Sequence, residues 1–237
     1  IYEYTVFVIE YIDSYCIRMY ISDIGSMTNE EIKQLHKKYS HGKYKDEWFD
    51  IVWTHSNIVL KIAQKIVSNL KKKEIFVNEE ILHAGVLLHD IGVYCCYDED
   101  LNNDSDAPAY IRHGILGYEI LKKENICESI ARFAMCHTGV GLTVLDIENA
   151  NLPLPKVDMI PISLEEEILC YADKFHTKYP SFSSFDEQRK QLCKYSDINP
   201  IIMDRFKMKF GIPDIEDLVE EYEVWHREVD RFLSEIG

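Results

Sequence analysis

Six side chains have the types and the setting to do chemistry together: His55, His89, Asp90, His113, His137 and Asp173. The steps between them are 34, 24, 24 and 36 residues, with His89 and Asp90 adjacent. Each lies in or at the end of an apolar run, as in "LLHDIGVY", "ARFAMCH" and "ILCYADKF". A carboxylate sunk in such a run is costly unless a cation meets it. A lone histidine on an apolar face is more often a hydrogen-bonded core residue. That reading suits His83, and also His36, His41 and His226, which stand in polar surroundings. Six such groups on five apolar segments instead ask for a shared partner. Imidazole nitrogen and carboxylate oxygen suit divalent ions: iron or manganese first, with magnesium, zinc, cobalt or nickel also compatible. Four neutral histidines and two carboxylates suffice for two ions, one carboxylate bridging. Two metals ~3.5–4 Å apart clamp the attacking and leaving oxygens of a phosphoester and acidify a bound water.

Helices must carry these residues. Thr28 with Glu31 forms a capping box before "NEEIKQLHKKY". Residues 47–70 repeat Ile51, Ile58, Ile62 and Ile66 at helical spacing, with His55 on the same face. Asn78 caps "EEILHAGVLLHD", and Gly92 is read as its stop. "RHGILGYEILKKEN" follows a polar, acidic loop, "YDEDLNNDSDAPAY", and its Gly114 and Gly117 permit close packing. "ICESIARFAMCH" ends at "TGVG". Pro153, Pro155 and Pro161 mark a loop with a short helical piece. Ser163 with Glu166 forms a second capping box, opening a helix "LEEEILCYADKFHTKY". The tail holds three more helices, the last acidic and amphipathic with a solvated face. No strand alternation is expected after Met27. Such a bundle can aim six side chains at one interior point.

Bulk composition agrees with a soluble, cytoplasmic globular protein: 46% of the 237 residues are hydrophobic and 28% charged. The net charge of −15 repels a phosphate backbone, which argues against nucleic acid as a main partner. A small phosphorylated substrate is still compatible, because bound metal reverses the local field. The seven cysteines form no C-x-x-C pair and read as reduced thiols, with only Cys95 and Cys96 adjacent. No uninterrupted apolar run reaches membrane-spanning length, so no membrane association is expected. Residues 1–26, aromatic and β-branched, are an N-terminal extension of uncertain structure, and residues 27–237 form the domain. Oligomeric state is left open.

In their order, His55, His89–Asp90 and Asp173 resemble the HD superfamily of metal-dependent phosphohydrolases, in which "HDIG" names one branch. "HGILGYEIL", "ARFAMCHTGVGL" and "EEEILCYADKF" are similar to HDIG-type segments, and the resemblance runs from about Thr28 to Tyr179. It implies an all-α HD-domain helical bundle around a metal site, with a C-terminal helical extension. It implies that His55, His89, Asp90 and Asp173 bind a first metal and that His113 and His137 join Asp90 at a second. Many two-metal members carry a lysine just after "HDIG" that faces the substrate phosphate. Here Val93 stands there, followed by Tyr94. "GYP" is also absent, which argues against a cyclic-dinucleotide phosphodiesterase of the HD-GYP type. Lys174 and Arg112 are the candidate replacements, with a plain ion pair as the competing role for each.

The expected activity is hydrolysis of a small phosphate ester, a nucleotide or related metabolite, by attack of metal-bound hydroxide. Asp90, Lys174 and Arg112 would serve catalysis. His83, His176 or a water would protonate the leaving group. The alternative is a di-iron oxygenase of the myo-inositol oxygenase-like HD type, using the same six ligands. A binding module with a degenerate site is a third reading, against which the complete ligand set speaks.

Overall fold

The computed structural model describes residues 27–96 and 110–236. The extension at residues 1–26, most of the expected acidic loop (97–109) and Gly237 lie outside the described residues. Helix α1 spans Asn29–Tyr39 and opens on the expected Thr28–Glu31 capping box. Helix α2 spans Lys45–Lys71 and buries the isoleucine face together with His55. Helix α3, Glu79–Leu88, starts where Asn78 accepts from the Ile81 N–H.

The end of helix α3 differs from the one expected. Helix α3 stops at Leu88, and a 3₁₀ helix, Ile91–Cys95, takes over after Asp90. On a continuous α-helix, neighbouring residues point about 100° apart. The break, with Asp90 at φ −101° and ψ 10°, lets His89 and Asp90 face the same point. Gly92 is therefore not the stop. It lies inside the 3₁₀ helix because a Cβ there would come within 2.0 Å of the His113 carbonyl oxygen and 2.3 Å of the Gly117 nitrogen. The 3₁₀ helix thus packs backbone to backbone on helix α4, His113–Lys123.

Helix α5, Glu128–Cys136, packs on α3 and α4, and a short α6, Val144–Asn149, is the helical piece inside the proline-marked loop. Helix α7, Leu164–Ala172, packs on α2, α3 and α5. Its capping box is only half made. Ser163 accepts from the Glu166 N–H, but the Glu166 carboxylate turns to Arg132 and the Ile162 N–H. That buried pair braces α7 against α5.

The helix expected to run to Tyr179 ends early. A 3₁₀ turn, Asp173–Phe175, leads into a two-residue strand β1 (His176–Thr177) antiparallel to β2 (Ser181–Phe182). This small hairpin, absent from the sequence reading, folds the chain back over the site. Helices α8 (Phe185–Leu192), α9 (Asn199–Phe210) and α10 (Glu216–Ile236) complete the fold. Helix α10 is the expected amphipathic outer helix, burying Leu218 and Val229. It pairs with α2 through Lys61–Glu221, Lys65–Asp217 and Trp225–Asp50. Among the described residues no helix is long and apolar enough to cross a membrane. The six described cysteines are free, as expected.

Candidate metal centre

Asp90 is the centre of the arrangement and is fully buried. One of its oxygens, Oδ2, lies 3.2 Å from His55 Nε2 and 3.3 Å from His89 Nε2. The other, Oδ1, lies 3.6 Å from His113 Nε2 and 3.3 Å from His137 Nε2. Asp173 closes the first side, its Oδ1 lying 3.1 Å from His55 Nε2 and 3.6 Å from His89 Nε2. All six sequence-selected side chains therefore converge, two histidines on each oxygen of one carboxylate.

Backbone carbonyls orient three of the four rings. His89 Nδ1 donates to the Val86 oxygen at 2.6 Å, His113 Nδ1 to Tyr110 at 2.7 Å and His137 Nδ1 to Ala134 at 2.8 Å. A neutral ring that donates from Nδ1 presents a lone pair at Nε2. The Nε2 atoms of the three rings face each other and the carboxylates. His113 Nε2 and His137 Nε2 are 2.9 Å apart, while His89 Nε2 and Asp90 Oδ1 are buried with no hydrogen-bond partner among the described residues. Like-charged lone pairs held this close call for a shared cation. Two triads bring their ligand atoms within 4.8 Å of one another: His55, His89 and Asp173, and His89, Asp90 and His137. The donor set is compatible with divalent metal.

The electrostatics express the same demand. Burial opposes a charge on His89, yet Asp90 and Asp173 outweigh it and push its pKa up to about 9. Burial would raise Asp90, but Lys178 and His89 hold it well below the usual carboxylate range. Asp173 is held low likewise, against burial, by Lys174 and the histidines. On the other side burial, with His137 beside it, drops His113 to about 3, and burial lowers His137 too. Both rings stay neutral and ready to ligate across the physiological range.

A cleft of about 640 Å³ opens onto this cluster, bordered by Tyr110, Thr138, Lys174, Lys178, Gln188 and Gln191. Lys174 lies there as expected, its Nζ 2.9 Å from Asp173 Oδ2. Arg112 does not border the cleft. It stands on the turn before His113, with its Nε buried and unpartnered among the described residues. Lys178 went unnoticed in the sequence. Its ammonium is bonded to Asp90 Oδ2, and its side chain is only 15% exposed. On the helix read through Tyr179, Lys178 would point about 140° away from Asp173. The hairpin reverses the chain and brings both to one site. His83 bonds Asn29 and lies off the cleft. His176 is 1% exposed with both ring nitrogens engaged by histidines, so neither it nor His83 stands free to protonate a leaving group. His36 is a buried core histidine bonded to the Leu87 carbonyl and Tyr94.

The HD domain family model matches residues 52–178, over half of the chain. The chain belongs to the HD-domain superfamily of metal-dependent phosphohydrolases. It is 34% identical over 124 residues to a tRNA (cytidine(56)-2'-O)-methyltransferase of Picrophilus torridus, covering 52% of this chain and 31% of that protein. It is 35% identical over 126 residues to the uncharacterized protein MJ0778 of Methanocaldococcus jannaschii, covering 52% of this chain and 66% of that one. The chain thus spans about a third of the first relative and just under two thirds of the second. Among solved structures, it is similar to the HD domain of the L. monocytogenes phosphodiesterase PgpH. Identity is 17% and the TM-score 0.40, over 78% of this chain and 93% of that one.

Proposed function

We propose that this chain hydrolyses a small phosphate ester, most directly a nucleotide, at the Asp90 cluster. The observation that carries the proposal is the set of three carbonyl-fixed imidazoles aimed, as lone pairs, at a carboxylate whose two oxygens serve two sides. In this reading His55, His89, Asp90 and Asp173 hold one divalent ion, and His113, His137 and Asp90 a second. When bound, the ions supply an acidified water and neutralise charge on the phosphoryl oxygens. The chain's own residues do the rest. Asp90 and Asp173 stay ionised, His113 and His137 stay neutral with their lone pairs turned inward, and His89 would release its Nε2 proton as an ion takes that place. Lys174 and Lys178 border the cleft and are the cations available to phosphoryl oxygens. Tyr110, whose ring stacks on that of His113 at 4.7 Å, borders the cleft and supplies an aromatic wall for a base. Gln188 and Gln191 offer amide donors and acceptors for the rest of the nucleotide.

The test is phosphate release from a panel of nucleotides and small phosphate esters, run without oxygen on manganese-loaded protein. Release that vanishes in Asp90→Ala, together with metal content, is the expected result. No release from protein carrying two ions, with oxygen consumption in the iron-loaded form, would overturn hydrolysis in favour of oxygenase chemistry.

A further inference from the structure

His55 differs from the other three imidazoles of the cluster. No backbone carbonyl takes its Nδ1. Instead Nδ1 lies 2.8 Å from His176 Nδ1, and His176 Nε2 lies 3.1 Å from His226 Nε2. An approach of 2.8 Å is closer than face-to-face rings allow, so the near-parallel planes of His55 and His176, 27° apart, meet edge to edge. The same holds for His176 and His226, whose planes differ by 25°. His176 is enclosed by Phe182 and Trp225. His226 is half-buried on helix α10, outside residues 52–178.

We infer that His226 and His176 are positioning residues for the metal centre: a directional chain of neutral imidazoles that fixes the tautomer of His55. The reasoning is one of proton counting. Each neutral ring has one N–H and one lone pair. For His55 to present a lone pair at Nε2, its proton must sit on Nδ1 and be donated to His176 Nδ1. His176 then carries its own proton on Nε2 and donates it to His226 Nε2. His226 in turn carries its proton on Nδ1. Break the last acceptor, and His176 loses the reason to hold its proton outward. Its Nδ1 can then be protonated, which forces the His55 proton onto Nε2, where the ion should bind. Ligating histidines usually have their second nitrogen held by a carboxylate or carbonyl, which raises ligand basicity. Here the tail helix supplies that hold through two rings.

This inference rests on the proposed metal centre, and the experiment separates the two. Histidine 226 is replaced by Phe, which keeps a flat ring but accepts nothing, and by Gln, whose carbonyl restores an acceptor. Manganese affinity of the metal-free proteins is read by competition with a fluorescent chelator, beside thermal melts without metal. His226→Phe is expected to bind roughly tenfold more weakly while melting like the wild type, the lower end of the effect for outer-shell partners. His226→Gln should recover most of that loss. If the role were packing alone, Phe would be the mild change and Gln the damaging one, and that result overturns the inference. Should the Phe variant not fold, nitrogen-15 NMR of the zinc-loaded wild type decides. His176 protonated at Nε2 and His226 at Nδ1 support the chain, and the opposite tautomers overturn it. A wild type that takes up no ion removes the metal reading and this inference together. Uptake indifferent to His226→Phe removes only the latter.

Discussion

Replacing Lys178 by methionine should harm the metal-free protein far more than the metal-loaded one. Lys178 bonds Asp90 Oδ2, and Asp90 is fully buried. Methionine keeps most of the side-chain volume and removes the charge. In the metal-free state Asp90 then loses its nearest cation, and breaking a buried pair from one side costs about 3–5 kcal/mol. In the metal-loaded state, on the proposed function, the ions take over as counter-charge. What remains is at most the loss of a single hydrogen bond, about 1 kcal/mol. The difference is about 3 kcal/mol, and thermodynamic linkage returns it as metal affinity, roughly 150-fold tighter in Lys178→Met. Turnover should fall at the same time, because the cation beside the phosphoryl group is gone. Urea unfolding with and without manganese, at pH 8 where proton uptake by Asp90 offsets least, gives both stabilities. Chelator competition gives the affinity independently. Equal destabilisation in the two states, or weaker metal binding in the variant, would refute the view that Lys178 and the ions share Asp90.

Gly92→Ala should uncouple the two sides of the site. Its new Cβ meets backbone atoms of His113 and Gly117, which cannot rotate away, so α4 must shift and carry His113 with it. Stability should drop toward the upper end of about 1–3 kcal/mol, and, on the proposed two-ion site, metal content by elemental analysis should fall from two ions per chain to one; two ions at wild-type stability would contradict this. His36 gives a pH dependence. Burial pushes its pKa from 6.5 down to about 4. Between these values the unfolded chain binds a proton that the folded chain refuses, so stability falls as pH falls. The loss is about 3 kcal/mol once pH 4 is reached. The wild type should therefore lose more than His36→Gln between pH 7 and pH 4 in urea titrations, and parallel curves would count against a neutral, buried His36.

The parts of the fold that local chemistry decides were readable. The Thr28–Glu31 box and the Asn78 cap mark helix starts because the orphan N–H groups there need nearby side-chain acceptors. The isoleucine repeat of α2 marks a buried face by its period alone. The helix ends at Leu88 and Ala172 were not readable. No glycine or proline stands at either end: the first after Leu88 is Gly92 and the first after Ala172 is Pro180. What ends α3 is a requirement from elsewhere, that His89 and Asp90 face one point while Gly92 meets the backbone of α4. The same holds for His226, which reads as a surface histidine in an acidic helix. Its contact with His176 spans 50 residues and exists because α10 lies back across α2.

The six clustered side chains were legible because carboxylates and histidines in apolar runs are conspicuous, whereas lysines are common enough to hide. Charge balance shows why Lys178 had to be there. Two buried carboxylates, Asp90 and Asp173, lie in the cluster, and Lys178, Lys174 and, without metal, a protonated His89 offset them. Each buried charge of the metal-free site then has a counter-charge, which a buried cluster requires. On the proposed function, two divalent ions overcharge the same cluster. The lysines can yield, since their long side chains border the open cleft, while three of the histidines are tied to backbone and His55 to His176. Each ammonium that leaves its carboxylate becomes free for an anion entering from the cleft, and a phosphate group restores the balance. On the proposed function the hairpin at β1 and β2 thus does the work that a lysine after "HDIG" would do: it places Lys178, beside Lys174 of the preceding turn, to guard a carboxylate without metal and to meet the phosphoryl group with it.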